Sequence, residues 1–521
     1  MSDVVLTGAS LDIDAVEGVA RRGTTVAIDA DAIRRMEESR AVIEQLVEAG
    51  ATVYGVTTGF GDLATVRIEP DSVERLQENL LVSHAVGVGP VLDREIVRAM
   101  LLLRANTLAL GHSGCRPLLV DRLALFLERG LHPVVPSQGS VGASGDLAPL
   151  AHLALPLIGR GEVELRGSTM PSLVALRETG LEPLALAAKE GLALLNGTQM
   201  MSAIGCLVVA DARRLVRSAS VAAAMSVEAL EGTVVAYAAP YQLARPHAGQ
   251  VEIAAQMRWL LRDSEVGGSH RESAHKVQDP YSLRCVPQVH GAVVDAIEVA
   301  ARVLEIEINS ATDNPLVFPQ GSAAPADAAA TGGGLVISGG NFHGEPVALA
   351  LDYAKLALAE LGAIAERRIA LLLDHRLNGG LPPFLAESPG LESGMMLYQY
   401  TAAALASEDK VLAHPASADS IPTSANQEDH VSMGSIAARH AREVLHNVER
   451  IVAIELVCAA QALDFRSVQR GLAPGAGVAE AQRRLRAVVA HLDRDREPGP
   501  DLAAATDLVR SGALADLAVP A

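Results

Sequence analysis

The run Gly142-Ala143-Ser144-Gly145-Asp146 is the first place in this chain where chemistry could be done. A serine between small residues suggests an exposed nucleophile. The hydrolase elbow, however, needs a second glycine where Asp146 stands, and it follows a strand. Pro133 and Pro136 are expected to leave no strand upstream of the serine. A phosphate-binding loop fails as well, because no Gly-Lys-Ser/Thr follows. By itself the run reads as a turn leading into a helix, with Ser144 near an N-cap. Other loops hold further reactive side chains. Tyr54 lies in a glycine-rich turn, Arg284 in a charge-poor stretch, and Glu428 ahead of a helix expected over 431–450, where an acid could simply cap. Asn196 falls in a charge-free stretch, expected to be a buried helix, where an amide is ordinarily a satisfied core residue. His343, His414 and His430 sit in motif loops, but no HExxH or similar metal spacing is present, so they read as hydrogen-bonding residues and no metal is expected.

The elements that must position these loops are mostly helices. Between Pro346 and Pro382, Val347, Leu351, Ala354, Leu358, Leu361, Ala365, Ile369 and Leu372 recur at intervals of three and four, and Asn378-Gly379-Gly380 supplies a stop. A helix of about 30 residues, roughly 45 Å long, needs several neighbours to bury its faces. The prediction is a mainly α fold: a long-helix bundle core with a smaller mixed N-terminal region, homo-oligomeric because many helices carry more than one apolar stripe. The expected organisation is a mixed region over 1–110 contributing a site loop, a central bundle over 111–470 carrying the Ala-Ser-Gly loop, and an extension over 471–521. Residues 319–334 read as a flexible surface insert.

Composition closes off several classes. The chain has 521 residues, 49% hydrophobic but only 3% aromatic, so a large core is built from Ala, Leu and Val packed closely. Its formal net charge of −19, with no cluster of Lys and Arg, argues against nucleic acid as a partner. The four cysteines form no CxxC pair, which reads as reduced thiols rather than a disulfide framework or zinc site. The charge-free stretch at 191–210 contains Asn196, Thr198, Gln199 and Ser202, too polar for a membrane span. With no secretory signal evident at the N-terminus, the expected location is cytoplasmic.

Context changes the reading of the first loop. GSVGASGDLAPLAHLAL at 139–155 closely resembles the signature of the aromatic amino acid ammonia-lyases and aminomutases. Six further motifs carry the resemblance along nearly the whole chain: YGVTTGFG at 54–61, SHAVGVG at 83–89, LLNGTQ at 194–199, QDPYSLRC at 278–285, SGGNFHGEPVA at 338–348 and PASADSIPTSANQEDHVSMG at 415–434. The resemblance implies that Ala143-Ser144-Gly145 cyclises and loses two waters to form a methylidene-imidazolone (MIO), with no external cofactor. The residue types suit that chemistry, since small side chains let the Gly145 nitrogen reach the Ala143 carbonyl. The product is an electrophile that no ordinary side chain offers.

The same resemblance implies roles for single residues. Tyr54 matches the family's proposed base, and a phenol that normally ionises near pH 10 would need a lowered pKa or a concerted transfer. Arg284 matches the clamp for the substrate carboxylate, and Tyr281 and Gln278 line the polar wall. Asn196 would polarise the imidazolone oxygen, Phe342 would pack against the ring, and Asn341 and Gln427 would give polar support. His84 and Glu428 would select the substrate. Histidine alone among the family's aromatic substrates carries imidazole ring N–H groups, and a carboxylate beside the ring can accept from one. L-Histidine, converted to trans-urocanate and ammonia, is therefore the expected substrate. A tyrosine lyase or an aromatic aminomutase is the alternative. Tyr398 and Tyr400 depart from the expected pattern and bear on ring selectivity. Family members assemble as homotetramers with shared sites, which implies the same here.

Overall fold

The computed structural model describes residues 3–53, 55–59, 68, 72–269, 277–319, 330–331 and 334–520. The fold is mainly α, as the helical periodicity requires: nineteen α-helices against ten short strands among the described residues. The chain divides into two compact units. One comprises Met1–Leu207, Ala301–Asp352 and Pro415–Arg439; the other comprises Val208–Ala300, Tyr353–His414 and His440–Ala521.

The first unit carries all the strands. Val4–Leu6 pairs in parallel with Val26–Ile28, and the other small sheets are antiparallel. Two of them correct the expectation that the prolines upstream of Ser144 exclude strand. His132–Pro133 pairs with Glu162–Leu165, and Pro136–Gln138 pairs with Val88–Val91. Each proline sits at a strand terminus, where its missing N–H removes no interior ladder bond. A second correction concerns 191–210, which is not one helix. Glu190–Leu195 stops at Asn196, and a new helix, Gln199–Ala229, begins after Gly197. The cause is local. Gly197 has φ of +155°, and a Cβ on it would meet Gln199 Oε1, Arg104 Nη1 and the Thr312 carbonyl within 2.7 Å. The expected insert lies largely outside the described residues, although Leu316–Pro319, Ala330–Thr331 and Gly334–Ile337 at its edges form a three-stranded sheet.

The long helix expected after Pro346 is Glu345–Leu373, 29 residues. Its eight apolar positions, Val347 through Leu372, are all fully buried, so one continuous stripe faces protein along the whole length. Asn378 terminates it by donating Nδ2 to the Leu372 carbonyl at 3.1 Å. The C-terminal extension also forms helices, Ala476–Arg486 and Gly499–Arg510. No described helix is long and apolar enough to cross a membrane.

In the second unit, Arg368 makes a two-pronged, fully buried pair with Glu455 at 2.6 and 2.8 Å, and Ser226 donates to the same carboxylate. Such a pair fixes helix register more than it adds stability. Burial lifts the Asp409 carboxyl to about 7, opposed by Asn447 Nδ2, which donates to Oδ1 at 2.9 Å; Oδ2 has no partner among the described residues. Its raised pKa makes the ionised form the costly one. The stability contributed by the protonated acid is present below the ordinary carboxyl range and is lost as pH rises through about 7. Asp409→Asn keeps the Asn447 bond and cannot ionise. It should match the parent chain near about pH 4 and exceed its stability at about pH 8 by on the order of 1–2 kcal/mol in denaturant melts. Equal stability at both values would rule this account out.

Candidate active site

The first unit brings together six separated segments around Ser144. The loop at 140–146 ends at the helix Leu147–Ala154, and Gly145 is one of its two tight points. Its φ is +71°, and a Cβ there would lie 2.1 Å from the Gly197 carbonyl oxygen, so glycine is required both by conformation and by space. Asp146 N donates to that same oxygen at 2.7 Å, which ties the loop to the break at Asn196-Gly197.

Three residues near the start of the helix Gly434–Arg470 hold the other side of the loop. Ser432 Oγ donates to the Gly142 carbonyl at 3.0 Å, Met433 N to the Val141 carbonyl at 2.8 Å, and Ser435 Oγ to the Ser140 carbonyl at 2.7 Å. Gly344 N reaches the Gly142 carbonyl at 3.3 Å, bringing the Asn341-Phe342 turn to the same loop. Ala143 packs with Val431 and Met433 in a small apolar cluster. Beneath the loop, Asp146 is fully buried and its carboxyl is pushed up to about 6 by burial, opposed by donors at Met201 N and Ser140 Oγ.

Ser144 itself is half-buried, and its hydroxyl donates to Glu428 Oε1 at 2.8 Å. The carboxylate is not a helix cap, since the helix starts at Gly434 rather than 431. Its second oxygen accepts from Thr423 Oγ1 at 2.8 Å. Between Thr423 and Glu428 the chain turns through Ser424, Ala425 and Asn426 at φ of +50°, +53° and +67°. Left-handed backbone costs an L-residue roughly 1–2 kcal/mol each, so the surroundings must sustain this turn.

His84 is the last residue of the helix Val73–His84. Its Nδ1 lies 2.8 Å from the Leu80 carbonyl, which only accepts, so Nδ1 carries the proton and Nε2 keeps its lone pair. Burial lowers its pKa, while the Leu80 carbonyl and the nearby negative charge of Glu428 act to raise it. The ring is accordingly a neutral acceptor beside a carboxylate. Asn196 is buried; its Nδ2 donates to the Asn314 carbonyl at 3.1 Å and its Oδ1 has no partner among the described residues. Arg104, wholly buried, holds the Asn196 carbonyl at 2.8 Å, and a buried Lys189–Asp313 pair at 2.7 Å lies in its electrostatic field. Sequence does not single out Arg104, Lys189, Asp313 or Thr423; the Arg104–Asn196 and Lys189–Asp313 contacts span 92 and 124 residues, and no motif reveals the turn geometry at Thr423.

Phe342 is half-buried, whereas Asn341 and Gln427 are exposed. Tyr54 lies outside the described residues. Gln278, Tyr281 and Arg284 belong to the second unit. There Arg284 stacks over the Tyr281 ring at 4.7 Å, and its buried Nε has no partner among the described residues. Gln278 and Tyr281 are exposed. Tyr398 is buried in that unit and its phenol is pushed up to about 12 by burial, while Tyr400 is exposed on the same helix, Met396–Leu412. His343 and His430 stack with centroids 5.7 Å apart and gather with Glu345, a grouping that sequence spacing does not reveal. Both His343 nitrogens meet backbone partners, Glu345 N at 3.4 Å and the His430 carbonyl at 3.3 Å.

Residues 11–487 match the profile of the aromatic amino acid lyases. The chain is 52% identical to the histidine ammonia-lyase of Gloeobacter violaceus, covering 98% of this chain and 96% of that one. It is similar to the crystal structure of histidine ammonia-lyase from Trypanosoma cruzi, with 43% identity, a TM-score of 0.89 and coverage of 100% and 96%. The tyrosine aminomutase of Streptomyces globisporus is similar in structure too, with 38% identity, a TM-score of 0.91 and coverage of 99% and 98%.

Proposed function

The chain belongs to the aromatic amino acid lyase family, and we propose that this member eliminates ammonia from L-histidine to give trans-urocanate. The observation that carries the choice of histidine is the Glu428 carboxylate, 2.8 Å from Ser144 Oγ and felt by the neutral His84 ring. A carboxylate and an imidazole acceptor beside the reacting residue suit a substrate ring that donates through N–H.

The loop fits the family's prosthetic group on its own chemistry. Gly145 has no room for a side chain, Ala143 is small, Ser144 has a hydroxyl to lose, and Asn196 Oδ1 is a buried polar atom left over. Ala143, Ser144 and Gly145 would form the methylidene-imidazolone, which supplies an electrophilic carbon when present. Asn196 would hold the ring's polar edge, and Phe342 would pack on its face. The rest falls to the chain's own side chains. Arg284 has an Nε with no partner among the described residues and a planar fork, which suits it to hold the substrate carboxylate, with Tyr281 bracing the guanidinium through its ring. Gln278 supplies a further polar contact at that end. Glu428 and His84 orient the imidazole. Tyr54 takes the β-proton, with the amino group departing as ammonia, so one proton and one amine leave for each double bond formed. Asn341 and Gln427 support these groups.

Assembly as a homotetramer with shared sites fits the exposed apolar stripe Leu349, Tyr353 and Leu356 on one face of Glu345–Leu373, together with Leu397, Tyr400 and Val411 on Met396–Leu412. The test is turnover of L-histidine by the purified chain, followed as near-ultraviolet absorbance and released ammonia, beside L-tyrosine. Histidine should be strongly preferred. Preference for tyrosine, or return of the amine to the β-carbon, would replace this reading.

A further inference from the structure

The geometry points to Thr423 as the positioning residue that fixes ring selectivity, by committing one oxygen of Glu428 and leaving the other for the substrate. This rests on the proposed role of Glu428 toward histidine. Thr423 and Glu428 face one another across an isolated antiparallel bridge, with Thr423 N donating to the Glu428 carbonyl at 2.9 Å and Glu428 N to the Thr423 carbonyl at 3.3 Å. Residues directly opposite in such a bridge project their side chains to the same side. That is why the Thr423 hydroxyl can meet Glu428 Oε2 at 2.8 Å.

The turn that permits this pairing is unusual. Three successive left-handed residues, none of them glycine, reverse the chain between the two partners, and Asn426 N and Gln427 N close it onto the Thr423 and Ser424 carbonyls at 3.1 and 2.9 Å. A right-handed turn would bring the ends together in a different orientation, and the side chains would no longer share a side. The loop is also anchored beyond the bridge, where Val431 N donates to Ser420 Oγ at 3.0 Å.

The two carboxylate oxygens have different histories. Oε1 accepts from Ser144 Oγ, a hydroxyl that would leave as water in forming the proposed ring. Oε2 accepts from Thr423, which is unchanged by maturation. In the mature protein Glu428 therefore retains Thr423 as its anchor and has Oε1 free to accept from the ring N–H of histidine. Without the Thr423 hydroxyl, Oε2 would lose the donor that orients it, and the carboxylate would meet the ring in a less defined orientation.

Thr423→Val keeps the β-branched shape and removes only the hydroxyl; Thr423→Ser keeps the hydroxyl. Both are measured for KM and kcat with L-histidine and with L-phenylalanine, whose ring has no N–H, and for intact mass. Thr423→Val should raise KM for histidine about tenfold, with a smaller fall in kcat, while the low phenylalanine rate and the two-water mass deficit stay as in the parent. Thr423→Ser should restore the histidine KM. The proposal is overturned if Thr423→Val leaves the histidine KM unchanged, if both substrates weaken equally, or if Thr423→Ser behaves as the valine variant does. Should the valine variant not fold, a serine variant whose histidine KM departs from the parent value overturns it as well. Failure of the underlying functional reading looks different, because the parent chain would then not prefer histidine at all.

Discussion

Ser144→Ala is expected to remove turnover of L-histidine, by at least about 10⁴-fold, while leaving the fold intact. The size follows from what a carboxylate, a neutral imidazole and an arginine can do without an electrophile. They can bind and orient an amino acid, but the amine remains a poor leaving group and the β-proton remains weakly acidic. A factor of about 10⁴ is about 5 kcal/mol of barrier, more than one hydrogen bond supplies and within the reach of a covalent electrophile. The fold should tolerate the change, because Ser144 contributes one half-buried hydrogen bond, the one to Glu428. Two measurements make the prediction sharp. The parent chain should be lighter than its sequence by two waters, and the alanine variant should not. Retained activity in the variant, or an unmodified parent mass, would remove the electrophile from the mechanism. A serine hydrolase is disfavoured on the same geometry, since the hydroxyl's partner is a carboxylate rather than a histidine.

The second large effect is expected from Glu428→Ala, which should lower kcat/KM for L-histidine by about 10²–10⁴-fold. Bound imidazole would lose its acceptor in a site from which water is largely displaced, and an unpaired buried N–H is costly. The change should also carry a sign in pH. Burial already lowers the His84 pKa, and Glu428 is one of the influences that raise it, so its removal should lower that pKa further. His84 would then remain neutral to more acidic pH, measurable by the NMR titration of its ring protons. A variant as active on histidine as the parent would show that the carboxylate does not recognise the ring. The parent-like two-water deficit, read on the same sample, separates lost recognition from failed maturation.

What sequence made legible is the part governed by local periodicity and motif. The eight apolar positions from Val347 to Leu372 required a long helix, and every one of them is buried. The motif loops at 84, 139–146, 194–199, 338–345 and 415–434 pointed to the segments that meet around Ser144 in the first unit. The rest depended on partners far away in the chain. The break at Asn196 follows from the crowding of Gly197 by Arg104, Gln199 and Thr312, which no charge-free stretch announces. The short strands at Pro133 and Pro136 exist because Glu162–Leu165 and Val88–Val91 supply ladders there. Lys189 adopts φ of +72° inside a buried pair with Asp313, and a lysine in a helix-forming stretch gives no hint of that. The left-handed turn at Ser424–Asn426 contains no glycine that would have marked it.

The grip of Ser432, Met433 and Ser435 on the loop at 140–142 sets a schedule for biosynthesis. The carbonyls they hold are made some 290 residues before them, so the clamp cannot exist until a ribosome has added those further residues. The proposed dehydration of the nascent loop would await those late arrivals. Loss of the two waters that the proposed ring requires would then serve as a timestamp, and a polypeptide truncated ahead of Ser432 should carry its full sequence mass however long it survives.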